Sequence, residues 1–231
     1  MRDYGLLASI AAVLAVPALL VRPWPPQEPG WRLLDRVGGS LAVGLLVGRL
    51  AALAIDDPSS LTSVADLLVI RSGVDFWPGL TAGIAWLVWT EHRSNGRPSV
   101  LVATVASAGL VGWAAYEASC LLRDGCPGPI SPIGLRPDGL VERQFPVALV
   151  VAVAAVLAGW LIDRARRRDL PDLDAIIVGI GTVALIRSIA SFWLPHVGTG
   201  LTRQHVTSLI VLLACTVVLA VVRQWLTPTQ S

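Results

Sequence analysis

Long apolar segments constrain the fold of this chain more than any other feature. The sequence contains seven of them, near residues 4–22, 33–55, 74–90, 99–122, 145–162, 174–194 and 206–224. A helix needs about 20 mostly apolar residues to cross the hydrocarbon core of a membrane. The sequence therefore predicts an all-α, polytopic membrane protein with seven transmembrane helices, and we expect residues 1–231 to form a single integral membrane domain. Residues 60–70 are too short to span, and their spacing predicts an amphipathic helix at the interface.

The composition agrees with this class of protein. Apolar residues make up 54% of the chain, charged residues 15%, and the mean hydropathy is +0.67. Soluble domains carry about 25% charged residues, so the composition excludes a disordered protein, a soluble enzyme and an ordinary nucleic-acid binder. The net charge of +2 is too small to indicate an anionic macromolecular partner, and we expect no nucleic acid to bind.

The distribution of arginine predicts the orientation in the membrane. Ten arginines fall on one side of the predicted spans: Arg22, Arg32, Arg36, Arg93, Arg97, Arg164, Arg166, Arg167, Arg168 and Arg223. Six fall on the other side: Arg2, Arg71, Arg123, Arg136, Arg143 and Arg203. Because cytoplasmic loops are enriched in basic residues, the N-terminus is predicted to lie outside and the C-terminus in the cytoplasm.

The three cysteines do not form a disulfide framework. Cys120 and Cys126 lie at the outer end of the fourth predicted span, where a disulfide could form. The other interpretation is that both are small apolar residues that fill space. The sequence leaves the two interpretations open.

Four charged residues are predicted at similar depth in the outer half of the membrane, namely Arg49, Asp75, Glu117 and Arg187. Charges at such depth are costly and face a polar interior or mark a site. They could form two ion pairs, Arg49 with Glu117 and Arg187 with Asp75. They could instead line a cavity for an anionic headgroup, because a guanidinium binds phosphate bidentately and keeps its charge. The two interpretations are compatible.

Glycine recurs along the second predicted span, at Gly38, Gly39, Gly44 and Gly48. Gly44 and Gly48 are four residues apart and therefore share a helix face. Small residues with this spacing allow two helices in a membrane to approach closely. The pattern predicts a packing interface.

Several short motifs together resemble those of the prolipoprotein diacylglyceryl transferases, in the family's order. They lie at residues 44–50 (GLLVGRL), 71–80 (RSGVDFWPGL), 115–128 (AYEASCLLRDGCPG), 143–146 (RQFP), 187–192 (RSIASF) and 201–204 (LTRQ, followed by Ser208). Such enzymes transfer a diacylglyceryl group from phosphatidylglycerol to the lipobox cysteine thiol of a preprolipoprotein. They act at the outer face of the bacterial inner membrane, without a metal or other cofactor.

The resemblance implies a multi-pass protein of the bacterial inner (plasma) membrane that binds phosphatidylglycerol or a related anionic lipid. It implies preprolipoprotein, or another subunit of a membrane complex, as a partner, and no cofactor. The residues that match retained family positions are the implied lipid-binding set: Arg49, Asp124, Gly125, Arg143, Arg187 and Gln204.

Other family positions are replaced in this chain. The family's essential His corresponds to Trp77, its signature Arg to Tyr116, a second His to Phe145 and a Glu to Ser191. Since tryptophan cannot act as a base, a base would have to come from Glu117, His196 or His205.

Two functions follow from this pattern. The first is a divergent lipid-modifying transferase with an open outer cavity lined by Arg49, Glu117 and Arg187. The second is a catalytically inactive relative, a membrane scaffold or accessory subunit in which Trp77 and Phe145 plug the cavity.

Overall fold

The protein is described here from a computed structural model. It describes residues 30–56, 58–59, 74–122, 126, 128–136, 141–193 and 201–226, with residues 13, 15 and 16. Apart from those three residues, the predicted first span (4–22) lies outside the described residues, as does the predicted interfacial helix (60–70). Both stay predictions.

The described residues form six helices and one short strand. In chain order these are α1 (Gly30–Asp56), α2 (Phe76–Arg93), α3 (Pro98–Ala118), a 3-10 turn (Ser119–Leu122), β1 (Ile130–Leu135), α4 (Val147–Arg166), α5 (Asp172–Ala190) and α6 (Arg203–Leu226). The predicted all-α class is confirmed, with β1 as a small addition in the loop between α3 and α4.

Five of these helices, α1 and α3 to α6, are long and apolar enough to cross a membrane. Helix α2, which covers the third predicted span, is not among the five. Its last turn, Glu91-His92-Arg93, is charged and lowers its apolarity. The chain is therefore a helical protein with several membrane-compatible helices, while the count of seven spans and the orientation of the termini stay predictions.

The described residues divide into two compact units, a first within 24–102 and a second within 1–23 and 103–231. The division falls inside α3, near Val102. Because the predicted pairs Arg49–Glu117 and Arg187–Asp75 each draw on both units, those two pairs stay predictions.

In the first unit, α1 and α2 pack through glycine on both helices. A methyl group on Gly44 would lie 2.9 Å from the carbonyl oxygen of Gly79, and one on Gly79 would lie 2.8 Å from the carbonyl oxygen of Gly44. The Ser40 hydroxyl donates a hydrogen bond of 2.7 Å to the Gly83 carbonyl. The packing role predicted for the glycines is correct for Gly44, whereas Gly38 has no atom within 4 Å of its ideal Cβ position.

In the second unit, α3, α4, α5 and α6 run alternately in opposite directions. Arg166 at the end of α4 contacts Thr104 near the start of α3, and it pairs with Asp172 at the start of α5. At the other end of these helices, His205 of α6 contacts Ser191, which directly follows α5. We call the end with Arg166 and Asp172 the arginine end, and the opposite end, which carries Cys120, the disulfide end.

Small side chains allow these helices to pack closely. The core cluster consists of Ala103, Leu110, Ala114, Ala152, Ala155, Ile162 and Ala175, contributed by α3, α4 and α5. A methyl group on Gly159 of α4 would lie 2.8 Å from the Ser107 carbonyl of α3, so the two backbones nearly touch. Helix α6 contributes little to the core and exposes many apolar side chains, such as Leu213 at 65%. Such a surface suits a lipid environment.

Candidate functional site

A cluster of polar side chains is buried at the disulfide end of the second unit. It lies where α5 ends and α6 begins, and its hydroxyl and imidazole groups belong to Ser188, Ser191, His205 and Ser208. Ser188 and Ser191 are three residues apart, as are His205 and Ser208, so each pair lies on one side of its helix or helix end. Burial of polar groups is costly unless they are hydrogen-bonded, which makes this cluster the candidate site.

The central contact joins the Ser191 hydroxyl and the His205 ring. The distance between Ser191 Oγ and His205 Nδ1 is 2.6 Å, and the exposed fractions of the two residues are 7% and 4%. The Phe192 ring packs edge-on against the imidazole, with the ring centroids 4.2 Å apart. The Thr202 hydroxyl accepts a bond from the His205 amide at the start of α6 and caps that helix.

The hydrogen bonds of the Ser191 hydroxyl bear on which ring nitrogen of His205 can accept a proton. Ser191 Oγ has one proton and donates it over 2.8 Å to the Ser188 carbonyl oxygen, which cannot itself donate. In the tautomer that agrees with this bond, His205 Nδ1 donates to Ser191 Oγ and Nε2 carries the lone pair. In that tautomer His205 is a proton acceptor at Nε2, with its ring orientation fixed by Ser191.

Arg187 lies one helical turn before Ser191 in α5. The Glu117 carboxylate of α3 interacts with it electrostatically. The same carboxylate accepts a hydrogen bond of 2.8 Å from Trp113 Nε1. A cation, a carboxylate and the Ser191–His205 pair are thus gathered at one end of three helices.

Ser188 adds a further polar group beside Arg187. Its exposed fraction is 4%, and its Oγ has no hydrogen-bond partner among the described residues. An unsatisfied buried hydroxyl is costly and calls for a water or a ligand oxygen. It is the observation in this cluster that points most directly to a bound group.

The disulfide joins Cys120, after α3, to Cys126 in the following loop. The sequence left this pairing open, and the structure contains it. The loop is further fixed at Gly128, where an added methyl group would overlap the Phe145 carbonyl oxygen. The Phe145 amide donates a hydrogen bond of 2.9 Å to the Pro129 carbonyl. The Phe145 side chain packs against a cluster formed by Val147, Val151 and Ala190.

The predicted site residues fall in different places. Glu117, Arg187 and His205 all lie at the disulfide end of the second unit, where Glu117 interacts with Arg187 and His205 contacts Ser191. Arg49 is 4% exposed and belongs to the first unit with Asp75. The side chain of Arg143 is exposed, and Gln204 is half-buried in the first turn of α6. Asp124, Gly125 and His196 lie outside the described residues, and their roles stay predictions.

No family model matches the chain, and no curated protein is significantly similar to it. The family resemblance rests on the motifs quoted above.

Sequence reasoning missed Ser188 and Trp113, and it treated Ser191 only as the replacement of a glutamate. A signal was present for the serines, because the apolar helix α5 ends with Arg187 and Ser188 followed three residues later by Ser191. Polar residues at this spacing in an apolar span predict a shared polar face. The spacing of Trp113 and Glu117, four residues apart in α3, was a signal of the same kind.

Proposed function

We propose that this chain is a multi-pass membrane protein that binds an anionic phospholipid at its disulfide end and acts there as a divergent diacylglyceryl transferase in lipoprotein lipidation. The observation that carries the proposal is the arrangement of Arg187 one turn from the Ser191–His205 pair, beside the unsatisfied Ser188 hydroxyl. A guanidinium and a hydroxyl are suited to phosphate oxygens.

Two independent features support an outward-facing disulfide end. Disulfides form and persist in oxidising compartments outside the cytoplasm. The arginine-rich turn after α4 lies at the opposite end of the same helices, and such turns favour the cytoplasmic side. Both features agree with a site in the outer leaflet of a bacterial inner membrane, where phosphatidylglycerol and preprolipoprotein would meet.

In the proposed reaction, the thiol of the acceptor cysteine loses its proton to His205 Nε2. The thiolate sulfur attacks the glyceryl carbon of the lipid, a carbon–sulfur bond forms, and the bond from that carbon to the phosphate oxygen breaks. The departing glycerol phosphate carries the negative charge, which Arg187 stabilises, and the Ser188 hydroxyl donates to it. His205 then returns the proton to the phosphate.

A second candidate function is the catalytically inactive relative, a membrane scaffold or accessory subunit. The burial of His205 favours it, because a base at 4% exposure behind the Phe192 ring must become accessible before it can meet a thiol. The tryptophan at position 77, where the family has its essential His, favours it as well.

Complementation distinguishes the two functions. The chain is expressed in a bacterium depleted of its own diacylglyceryl transferase, and the mass of a reporter lipoprotein is followed. The proposal expects a diacylglyceryl mass increase that His205→Gln and Arg187→Gln abolish. Arg136→Gln is the matched control, because Arg136 is exposed in the loop after β1 and the charge change is the same. No mass increase, with the protein confirmed in the membrane, refutes the transferase and supports the inactive relative.

A binding experiment tests the lipid separately from the reaction. Native mass spectrometry of the purified chain is expected to show retained phosphatidylglycerol that Arg187→Gln loses and Arg136→Gln keeps. Equal retention by both variants would refute a headgroup site at Arg187.

A further inference from the structure

A cleft of about 550 Å³ opens at the arginine end of the second unit, opposite the candidate site. It lies between the turn that joins α4 to α5 and the last turns of α6. Its polar walls are formed by three arginines and two aspartates, and its apolar walls include Leu161 and Leu170; the polar residues are Arg164, Arg168, Asp169, Asp174 and Arg223. Nothing in the proposed reaction uses this cleft.

The structure divides the four arginines at the end of α4 and directly after it, Arg164, Arg166, Arg167 and Arg168, into two groups. Arg166 donates hydrogen bonds of 3.0 Å to both Thr104 and Asp172. Arg167 forms an ion pair with Asp163, one turn earlier on α4. These two arginines hold the helix ends together and do not line the cleft.

The other two arginines, Arg164 and Arg168, line the cleft. Neither forms an ion pair with a carboxylate among the described residues, whereas the nearby Asp174 lies 3.6 Å from Arg223. Both side chains are exposed. The cleft therefore presents two guanidinium groups that form no ion pair with a described carboxylate, and its three arginines outnumber its two aspartates. Arg164 lies in the last turn of α4, and Arg168 is the second residue after that helix.

An exposed apolar stripe on α4 leads to these arginines. It consists of Val150, Val153, Leu157 and Trp160, spaced three and four residues apart and between 46% and 61% exposed. Arg164 continues the stripe by one turn, and its guanidinium carbon lies 5.4 Å from the centre of the Trp160 ring. Tryptophan and arginine in this order are typical of the boundary between hydrocarbon and headgroups.

We propose that this cleft binds the phosphate of an anionic glycerophospholipid, whose acyl chains lie along the exposed stripe of α4. The two arginines supply the charge that a phosphodiester needs, and basic pockets between transmembrane helices are suited to such headgroups. A free phosphate would use the same arginines. The lipid is favoured because the stripe and the leucines of the cleft offer apolar surface to the acyl chains as well.

The test uses the purified full chain in detergent and measures binding of phosphatidylglycerol and of phosphatidylcholine with the same acyl chains by native mass spectrometry. The variants are Arg164→Gln and Arg168→Gln, each made alone and in the Arg187→Gln background, so that binding at the disulfide end does not contribute. Arg167→Gln is the matched control, because it removes the same charge from the same turn outside the cleft.

We expect the wild-type chain to prefer phosphatidylglycerol, and each cleft variant to bind it about fivefold more weakly, the effect of one arginine near a headgroup. Arg167→Gln should leave the affinity unchanged. Equal weakening by Arg167→Gln would overturn the proposal in favour of a general charge effect, and unchanged binding in the cleft variants would overturn it outright. Displacement of the lipid by inorganic phosphate would overturn the lipid assignment and indicate a free-phosphate site.

Discussion

Replacing Gly44 by alanine should destabilise the protein, whereas the same replacement at Gly38 should not. Both glycines lie in α1. The new methyl group at position 44 would lie 2.9 Å from the Gly79 carbonyl oxygen, while the one at position 38 would meet no atom within 4 Å. The obstacle at position 44 is helix backbone, which cannot rotate away as a flexible side chain can.

The size of the change in the free energy of unfolding follows from two opposing effects. Alanine in place of glycine stabilises a helix interior by about 1 kcal/mol. A methyl group forced into a tight contact costs about 1–3 kcal/mol. Because the helix effect is common to both variants, the difference between their free energies of unfolding isolates the packing cost. We expect Gly44→Ala to be less stable than Gly38→Ala by about 1–3 kcal/mol.

The assay is equilibrium unfolding of the purified chain in mixed micelles, with helix content followed by circular dichroism as denaturing detergent is added. A reciprocal variant, Gly79→Ala, should behave like Gly44→Ala, since its methyl group would lie 2.8 Å from the Gly44 carbonyl oxygen. The two together should cost less than the sum of their separate effects, because the first methyl group already separates the helices. Gly38→Ala combined with Gly79→Ala should be additive.

Equal stabilisation by Gly44→Ala and Gly38→Ala would refute the reasoning. It would mean that α1 and α2 do not approach each other through Gly44 and Gly79.

Two further predictions concern the disulfide and the orientation. Thiol labelling of the denatured, unreduced chain should modify Cys215 alone, and labelling after reduction should modify Cys120 and Cys126 as well. Replacing both bridged cysteines by serine should lower the free energy of unfolding by about 2 kcal/mol. Labelling of all three cysteines before reduction would contradict the bridge. A cysteine introduced at Ile133, an exposed residue of β1, should react with an impermeant reagent added outside intact cells, and one introduced at Asn95 should not. The reverse pattern would invert the predicted orientation and remove the outer-leaflet site.

The helical class could be predicted because it depends on local composition. Five apolar segments form helices long enough to span a membrane, at bounds close to those expected. The observed bounds of the helices differ from the predicted ones by a few residues, because a helix can continue into polar residues. An example is α2, which continues to Arg93 beyond the predicted residue 90 because its last turn is polar but still helical.

The candidate site could be predicted only in part. His205 was one of three candidate bases, and nothing in the sequence distinguished it from His196. Pairing of Glu117 with Arg49 was one of two open interpretations and stays a prediction, while the interaction of Glu117 with Arg187 within the second unit was not among the pairs considered. Which histidine lies in the site and which charges pair depend on which helices pack side by side. When only the depth of each charged residue in the membrane is known, several pairings are equivalent.

The sequence by itself determined the apolar helices, the glycine-lined face of α1 and the concentration of arginine after α4. These properties follow from the residues of one segment and its own periodicity. The tertiary structure decided that Ser191 meets His205, and that Arg166 pairs with Asp172 while Arg164 and Arg168 face a cleft. The physical reason is that these arginines are chemically alike, and the position of the neighbouring helices gives each of them different surroundings. Arg167 is the exception, because its partner Asp163 lies one turn earlier on the same helix.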